Sequence, residues 1–144
     1  DSPIGVLELE AEFNFISRIK FREGGSLQLC KESKKAGEST TLTEASKQID
    51  EYFNGTRKLF EIPFKLNVPP FYRKVLLEVQ KVKYGDVASY GKIAQMAGSN
   101  KAARVVGTAN AKNPLPIIIP CHRVISSNGN VGGYSGGLDR KLFL

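Results

Sequence analysis

Tryptophan is absent from the chain, methionine and histidine occur once each, and only two cysteines, Cys30 and Cys121, are found in 144 residues. Two cysteines cannot weave a disulfide framework, and with one histidine they fall short of the four ligands of a structural zinc site. Long apolar runs are missing as well. None exceeds three residues, as in Ile117-Ile118-Ile119 with proline on both sides, far below the ~20 residues that a membrane-spanning helix requires. No basic segment followed by an apolar stretch opens the chain, so no secretory leader is expected, and the sparse cysteine usage fits a reducing intracellular compartment. What is present, 41% hydrophobic and 24% charged residues, is the composition of a soluble globular protein with room for one ordinary domain or two small ones.

Acidic residues are scarce in one half only. Residues 1–67 carry 10 Lys and Arg against 11 Asp and Glu, a net of −1, whereas residues 68–144 carry 11 against 3, a net of +8. The whole excess of positive charge therefore lies in the second half, where phosphate contacts and counterion release would draw a polyanion such as nucleic acid. Val68-Pro69-Pro70 marks the change of balance and, with its stiff prolines, is the expected boundary between an N-terminal domain (1–67) and a C-terminal domain (68–144).

The first half has the pattern of a small α+β unit. Val6 to Ala11 alternates, with Leu7, Leu9 and Ala11 opposite Glu8 and Glu10. Phe15, Ile19 and Phe21 form one face of the following run against Arg18, Lys20 and Arg22, which predicts a hairpin turning through Glu12–Asn14. Residues 23–40 are polar and predict a surface segment with one short strand near Leu27–Leu29; Cys30 there has no histidine in local reach and is expected to be a packing residue. A helix is expected to start at the Thr41-x-x-Glu44 capping box, to bury Ala45, Ile49, Tyr52 and Phe53, and to end at Asn54-Gly55.

In the second half a helix opens at Pro70 with an apolar stripe of Phe71, Val75, Leu76 and Val79. Tyr90, Ile93, Ala94 and Ala97 then recur at helical spacing up to a stop at Gly98, and Ser99 or Asn100 is placed to cap a second helix from Lys101 to Ala109. Two short helices about a tight turn form a helix-turn-helix, a pattern shared by DNA readers and by helical hairpins that never meet DNA. The second helix is rich in small residues (Ala102, Ala103, Gly107, Ala109), with Lys101 and Arg104 as its main charged projections. Such a helix suits either close packing on a neighbour or close approach to a narrow surface with one arginine reaching inward.

After Leu115-Pro-Ile-Ile-Ile-Pro120, which has a β-like apolar pattern, Cys121 is followed at once by His122, the only histidine. A thiol attacks as its thiolate, which a neighbouring imidazole or cation favours. Adjacent residues on a strand face opposite ways, so cooperation between the two needs a turn in the backbone. Without that turn, Cys121 and His122 are a buried thiol beside an unrelated imidazole.

Pro120-Cys121-His122-Arg123-Val124, followed by Val131-Gly-Gly-Tyr134-Ser-Gly-Gly-Leu138, closely resembles the active-site signature of the O6-alkylguanine-DNA alkyltransferases, also called methylated-DNA–protein-cysteine methyltransferases. The resemblance extends through Tyr84-Gly-Asp-Val-Ala-Ser-Tyr-Gly-Lys-Ile-Ala94, Lys101-Ala-Ala-Arg-Val-Val-Gly107 and Asn113-Pro-Leu-Pro116, and covers residues 69–144. In the first half only Ser2-Pro-Ile-Gly-Val-Leu7 is shared in a loose way.

This resemblance implies an α+β chain: a ribonuclease-H-like N-terminal domain followed by a winged helix-turn-helix-type domain carrying the cysteine. It implies direct, single-turnover transfer of an alkyl group from O6 of guanine, and from O4 of alkylthymine, to Cys121, with no cofactor and no metal. His122 would act through a water as the base, and Tyr90 would assist nucleotide rotation and hydrogen-bond the extruded base. Arg104 would fill the gap in the stack from the minor groove. The backbone around Val124 and Ser135 would read guanine edges, Tyr134 and Pro116 would wall the pocket, and Asn113 would brace the turn before the active-site segment. Tyr72, Ser99, Ala102 and Ser127 stand at DNA-contacting positions. The implied partner is double-stranded DNA, bound by a monomer in the cytoplasm of a prokaryote or the nucleus of a eukaryote, without a membrane.

Two places depart from the family pattern. Relatives carry a histidine-orienting glutamate a few residues beyond the position of Leu144, and neither Glu61 nor Glu78 stands at a matching position. Asn110 occupies a place where some relatives have a larger apolar residue near the pocket. Cys121 argues against a non-catalytic DNA-binding or regulatory module, and the lack of a second histidine together with the basic helix-turn-helix argues against a Cys–His thiol hydrolase.

Overall fold

The computed structural model describes residues 2–22 and 36–144, and the chain divides into two compact units, Asp1–Asn67 and Val68–Leu144. The strand expected near Leu27–Leu29, and Cys30, lie outside the described residues. No helix among the described residues is long and apolar enough to cross a membrane.

In the N-terminal unit, β1 (Val6–Glu12) and β2 (Phe15–Arg22) form an antiparallel hairpin, and α1 (Ala36–Phe53) packs against both strands. The ladder carries cross-strand ion pairs, Glu8 with Arg22 at 2.7 Å and Glu10 with Lys20. The register slips once: Glu10 pairs with Arg18 but Ala11 with Ile16, leaving Ser17 as an extra residue. That bulge corrects the expected alternation. Ile16 and Ile19, rather than Phe15 and Ile19, share the buried face, while Phe15 is 44% exposed, because one inserted residue flips every side chain before it. Ile16 is further held by a short parallel bridge, its N–H donating to Pro63 O and its carbonyl accepting from Lys65 N, both at 2.9 Å. Helix α1 begins at Ala36, five residues before the expected cap, so Thr41 lies inside it. Its buried face holds the expected Ala45, Ile49 and Tyr52, whereas Phe53, at the last turn, is only half-buried.

The C-terminal unit is mostly helical. Helix α2 (Pro70–Gln80) starts with proline in its first turn and buries Val75, Leu76 and Val79. A two-residue strand, β3 (Ala88–Ser89), leads directly into α3 (Tyr90–Met96), whose first turn is capped by Ser89 Oγ accepting from Lys92 N at 3.1 Å. Gly98 ends α3 at φ +92° with paired bonds, Gly98 N to Gln95 O (3.0 Å) and Ser99 N to Ala94 O (2.9 Å), the Schellman arrangement that favours glycine. Helix α4 (Ala103–Ala111) begins later than expected, with Ala102 at its N-cap and no side-chain cap. Neither Ser99 nor Asn100 caps it, because a backbone turn, Ala102 N to Ser99 O (3.2 Å), precedes the helix and leaves Ala102 at the N-cap position. Helices α3 and α4 pack on each other and on α2.

Beyond α4 the chain makes a tight turn, a single 3-10 turn over Cys121–Arg123, and β4 (Val124–Ile125), which pairs in parallel with β3. A short α5 (Leu138–Phe143) follows the glycine-rich loop.

The turn at Gly98 supports a stability test. Gly98→Ala should cost about 1–2 kcal/mol, since its φ is one that a Cβ resists. Gly91→Ala, at a helical position with only Ser89 Oγ at 4.0 Å, should be neutral or stabilising by up to ~1 kcal/mol. Urea denaturation of both variants checks the pair, and equal effects would contradict the assignment of the Gly98 turn.

Candidate active site around Cys121

Ile117-Ile118-Ile119 is not the extended segment its composition predicts. Ile119 N donates back to Leu115 O at 2.9 Å, Pro116 bridges Ile119, and Ile117 sits at φ +76°. A β-branched residue in the left-handed region is a backbone outlier, worth of order 1–3 kcal/mol of strain and kept only where the surroundings impose it. The surroundings here are tight, with Leu115, Ile117 and Ile119 at most 1% exposed. The apolar run is buried through a turn, so its burial carries no strand periodicity.

Asn113 holds that turn. Its Oδ1 accepts from Leu115 N (2.9 Å), and its Nδ2 donates both to Ile119 O (2.9 Å) and to Cys121 Sγ (3.2 Å). The amide orientation follows from these partners, since a flip would oppose acceptor to acceptor and donor to donor. One buried side chain thereby ties the end of α4, the Ile117 turn and the thiol together.

The 3-10 turn supplies the bend that cooperation between Cys121 and His122 requires. Both residues are buried, at 2% and 6% exposure. Burial pushes the Cys121 thiol above its ordinary range, and the Asn113 amide, the positive charge of Lys141 and backbone N–H groups pull against it. His122 is pushed down to about 3, by burial first and then by the positive charges of Arg123 and Lys141, so at neutral pH its ring is an uncharged imidazole.

Tyr90, the first residue of α3, faces this region. Its phenol is raised above the ordinary range by burial and by the Cys121 charge, so it remains a hydrogen-bond donor at neutral pH. Gly132, at φ +72°, passes so close that a Cβ there would meet Tyr90 Oη at 2.9 Å.

Lys141 completes the cluster, and the sequence reading did not single it out. It is 4% exposed and donates from Nζ to Val124 O (2.8 Å) and Gly133 O (3.2 Å), with Nζ 5.9 Å from the Tyr90 ring centre. Burial lowers its pKa while the Cys121 charge raises it. Its partners are backbone carbonyls, which leave no signature in side-chain types. The only local hint is a lysine in the last turn of a short helix, where cations are favoured.

The remaining expected residues fall into two groups. Val124 and Pro116 are buried and Tyr134 is half-buried, with Val124 tied to the cluster through its carbonyl. Ser135, Ser127 and Arg104 are exposed, while Ala102 is buried and Ser99 and Tyr72 are half-buried. Arg104 projects from the opposite side of α4 to Val106, Ala109 and Asn110 and does not join the thiol cluster. Tyr72, on α2, has Lys112 Nζ 6.0 Å from its ring centre. Arg123, to which no role was assigned, donates to Val82 O (2.8 Å) and stacks on Tyr84 at 5.4 Å, anchoring the chain beyond α2.

Known proteins match this chain over its whole length. The family model described as 6-O-methylguanine DNA methyltransferase, DNA binding domain, matches residues 70–144, and the ribonuclease-like domain of the same family matches residues 1–66. The methylated-DNA–protein-cysteine methyltransferase of Methanosarcina acetivorans is 38% identical over 144 residues, spanning all of this chain and 92% of that protein. The constitutive one of Bacillus subtilis is 38% identical over 147 residues, spanning all of this chain and 89% of that protein. The crystal structure of Mycobacterium tuberculosis OGT in complex with DNA superposes with a TM-score of 0.83 at 34% identity, covering 99% of this chain and 85% of that one.

The depressed His122 pKa has a consequence for stability. The unfolded state takes up a proton near pH 6.5 that the folded state refuses until about pH 3, so stability is lost as pH falls through that window. His122 should by itself make the protein about 2–3 kcal/mol less stable at pH 4.5 than at pH 7, and His122→Gln should lack that part of the acid sensitivity. Urea denaturation at the two pH values measures it; an unchanged pH dependence in the variant would show His122 to be solvated.

Proposed function

The chain belongs to the 6-O-methylguanine DNA methyltransferase family, and from that membership we propose that Cys121 is the acceptor to which it moves the alkyl group of a damaged guanine, once and irreversibly. The observation that carries this reading is the bond from Asn113 Nδ2 to Cys121 Sγ, which fixes a buried thiol in one orientation beside a neutral imidazole and a buried ammonium.

The steps balance without a cofactor. The Sγ proton passes to uncharged His122, with a water as relay. The thiolate then displaces the alkyl carbon in line, forming S–C as C–O6 breaks. The departing guanine takes a proton from Tyr90, which regains one through water from the protonated His122, and leaves as neutral guanine. O4 of alkylthymine offers the same leaving atom and is proposed as a second substrate. The product thioether has no route back to thiol, so each chain acts once.

A base stacked in a duplex cannot present O6 to a buried thiol, so the nucleotide must be extruded. Arg104 has the geometry for the vacated space, because it extends from the exposed side of a helix rich in small residues, and wedging from the minor groove is a known way to stabilise unstacked DNA. Tyr72, Ser99, Ala102 and Ser127 are proposed to hold the backbone, and Tyr134, Pro116, Val124 and Ser135 to enclose and read the base. The excess charge of the unit, +8 over residues 68–144, supplies sequence-independent attraction to a duplex by a monomer. Work on DNA takes place inside the cell, in the cytoplasm of a prokaryote or the nucleus of a eukaryote.

Cys121→Ala should abolish alkyl transfer from a duplex containing O6-methylguanine while changing DNA affinity less than threefold, because phosphate contacts rather than the thiol supply affinity. Mass measurement of the chain and a binding titration on the same duplex decide this; a variant that still becomes methylated, for instance on Cys30, removes Cys121 as acceptor. Arg104→Ala should slow repair of duplex DNA by at least ~10-fold, matching an unstacking cost of a few kcal/mol, and leave reaction with free O6-benzylguanine within twofold. Equal losses on both substrates would assign Arg104 to the pocket or the fold.

A further inference from the structure

Asn110 is anomalous within α4. It is 8% exposed, and both its Nδ2 and its Oδ1 are buried without a hydrogen-bond partner, whereas Asn113, three residues on, has every polar atom engaged. An apolar side chain of similar size would fill the same space without that penalty, since an unsatisfied buried amide is costly. A polar group kept in such a place calls for a partner that arrives.

Its position points to which partner. The Asn110 carbonyl accepts from Asn113 N at 3.1 Å, directly before the side chain that holds Cys121 Sγ. One turn earlier on the same face is Gly107, where a Cβ would lie 4.0 Å from the Tyr90 ring. Helical side chains lean toward the N-terminus over the preceding turn, so the Asn110 carboxamide leans toward Gly107, which lies beside the Tyr90 ring.

We propose that Asn110 sets which adducts the site accepts, its carboxamide recognising a neutral hydrogen-bonding group carried on the alkyl chain. A hydroxyl at the second carbon suits it, accepting from Nδ2 and donating to Oδ1 at once. A purely hydrocarbon chain of the same length leaves both atoms unpaired and is disfavoured, in the way that a site built to hydrogen-bond a hydroxyl rejects the analogue lacking it. The proposal rests on the alkyl-transfer reading above and adds to it a substrate class.

The test compares two duplexes identical except for the adduct, O6-(2-hydroxyethyl)guanine and O6-propylguanine, which match in length and differ in the terminal group. Single-turnover rates of transfer to Cys121 are measured for the parent protein and for Asn110→Leu. The ratio of hydroxyethyl to propyl rates should be at least tenfold higher in the parent than in the variant; intrinsic reactivity differences between the adducts cancel in that comparison. Asn110→Ala, which removes the amide without adding bulk, should shift the ratio in the same direction and serves if the leucine variant fails to fold. A ratio unchanged within twofold in the variants would overturn the proposal and assign the amide to a buried water or to the base itself. Absence of transfer from either duplex and from O6-methylguanine in the parent would overturn the alkyl-transfer reading instead.

Discussion

The carboxamide of Asn113 is the constraint on which the rest of the site depends. Its three hydrogen bonds, to Leu115 N, Ile119 O and Cys121 Sγ, join a helix end, a strained turn and the Cys121 thiol with one short side chain. Ile117 can occupy φ +76° because that turn is closed at both ends and packed on its apolar side. The 3-10 turn that follows then aims Cys121 away from the direction an extended strand would give it. The small parallel pair of β3 and β4 brings Ser89, the cap of α3, beside Ile125, so Tyr90 and the thiol face one another across a framework fixed at both ends.

Within that framework charge works against burial. The thiol and the imidazole both lie where ions are penalised, and their pKa values move so as to keep each uncharged at rest. Lys141 is the one lysine or arginine buried among the described residues, held by two carbonyls and a tyrosine face, and it favours the thiolate as it forms. Even in water only ~3% of a free cysteine is ionised at pH 7, and lowering a thiol pKa also lowers its intrinsic nucleophilicity. Thiolate population is therefore a small lever. Alignment of sulfur, carbon and departing oxygen, worth up to ~7–11 kcal/mol in favourable cases, is the large one, and a single-turnover protein can spend a rigid, strained active-site turn on it.

Much of this was legible in the residues. The hairpin, the buried faces of α1 and α2, and the pair α3–α4 follow from periodicity and from Gly98. The charge asymmetry pointed to a polyanion before any motif was considered. The role proposed for Cys121 came from the order and spacing of several motifs together, since a Cys–His adjacency has innocent explanations. The misreadings share a physical cause. Ser17 bulges, so strict alternation assigned Phe15 to the wrong face. Ile117–Ile119 is apolar enough for a strand, and only the side-chain bonds of Asn113 make it a turn. Lys141 binds backbone carbonyls, and the Asn110 carboxamide has no hydrogen-bond partner, so neither has a partner that a sequence pattern can reveal.

The central claim is that Asn113 orients the nucleophile. It is tested most directly by the rate at which Asn113→Ala reacts with free O6-benzylguanine, in protein whose circular dichroism and DNA affinity match those of the parent. If the amide holds Sγ in line, the rate falls on the order of 100-fold or more, since losing alignment removes several kcal/mol of the positioning term. A rate within threefold of the parent would show that Cys121 finds its geometry without Asn113 and would contradict the account.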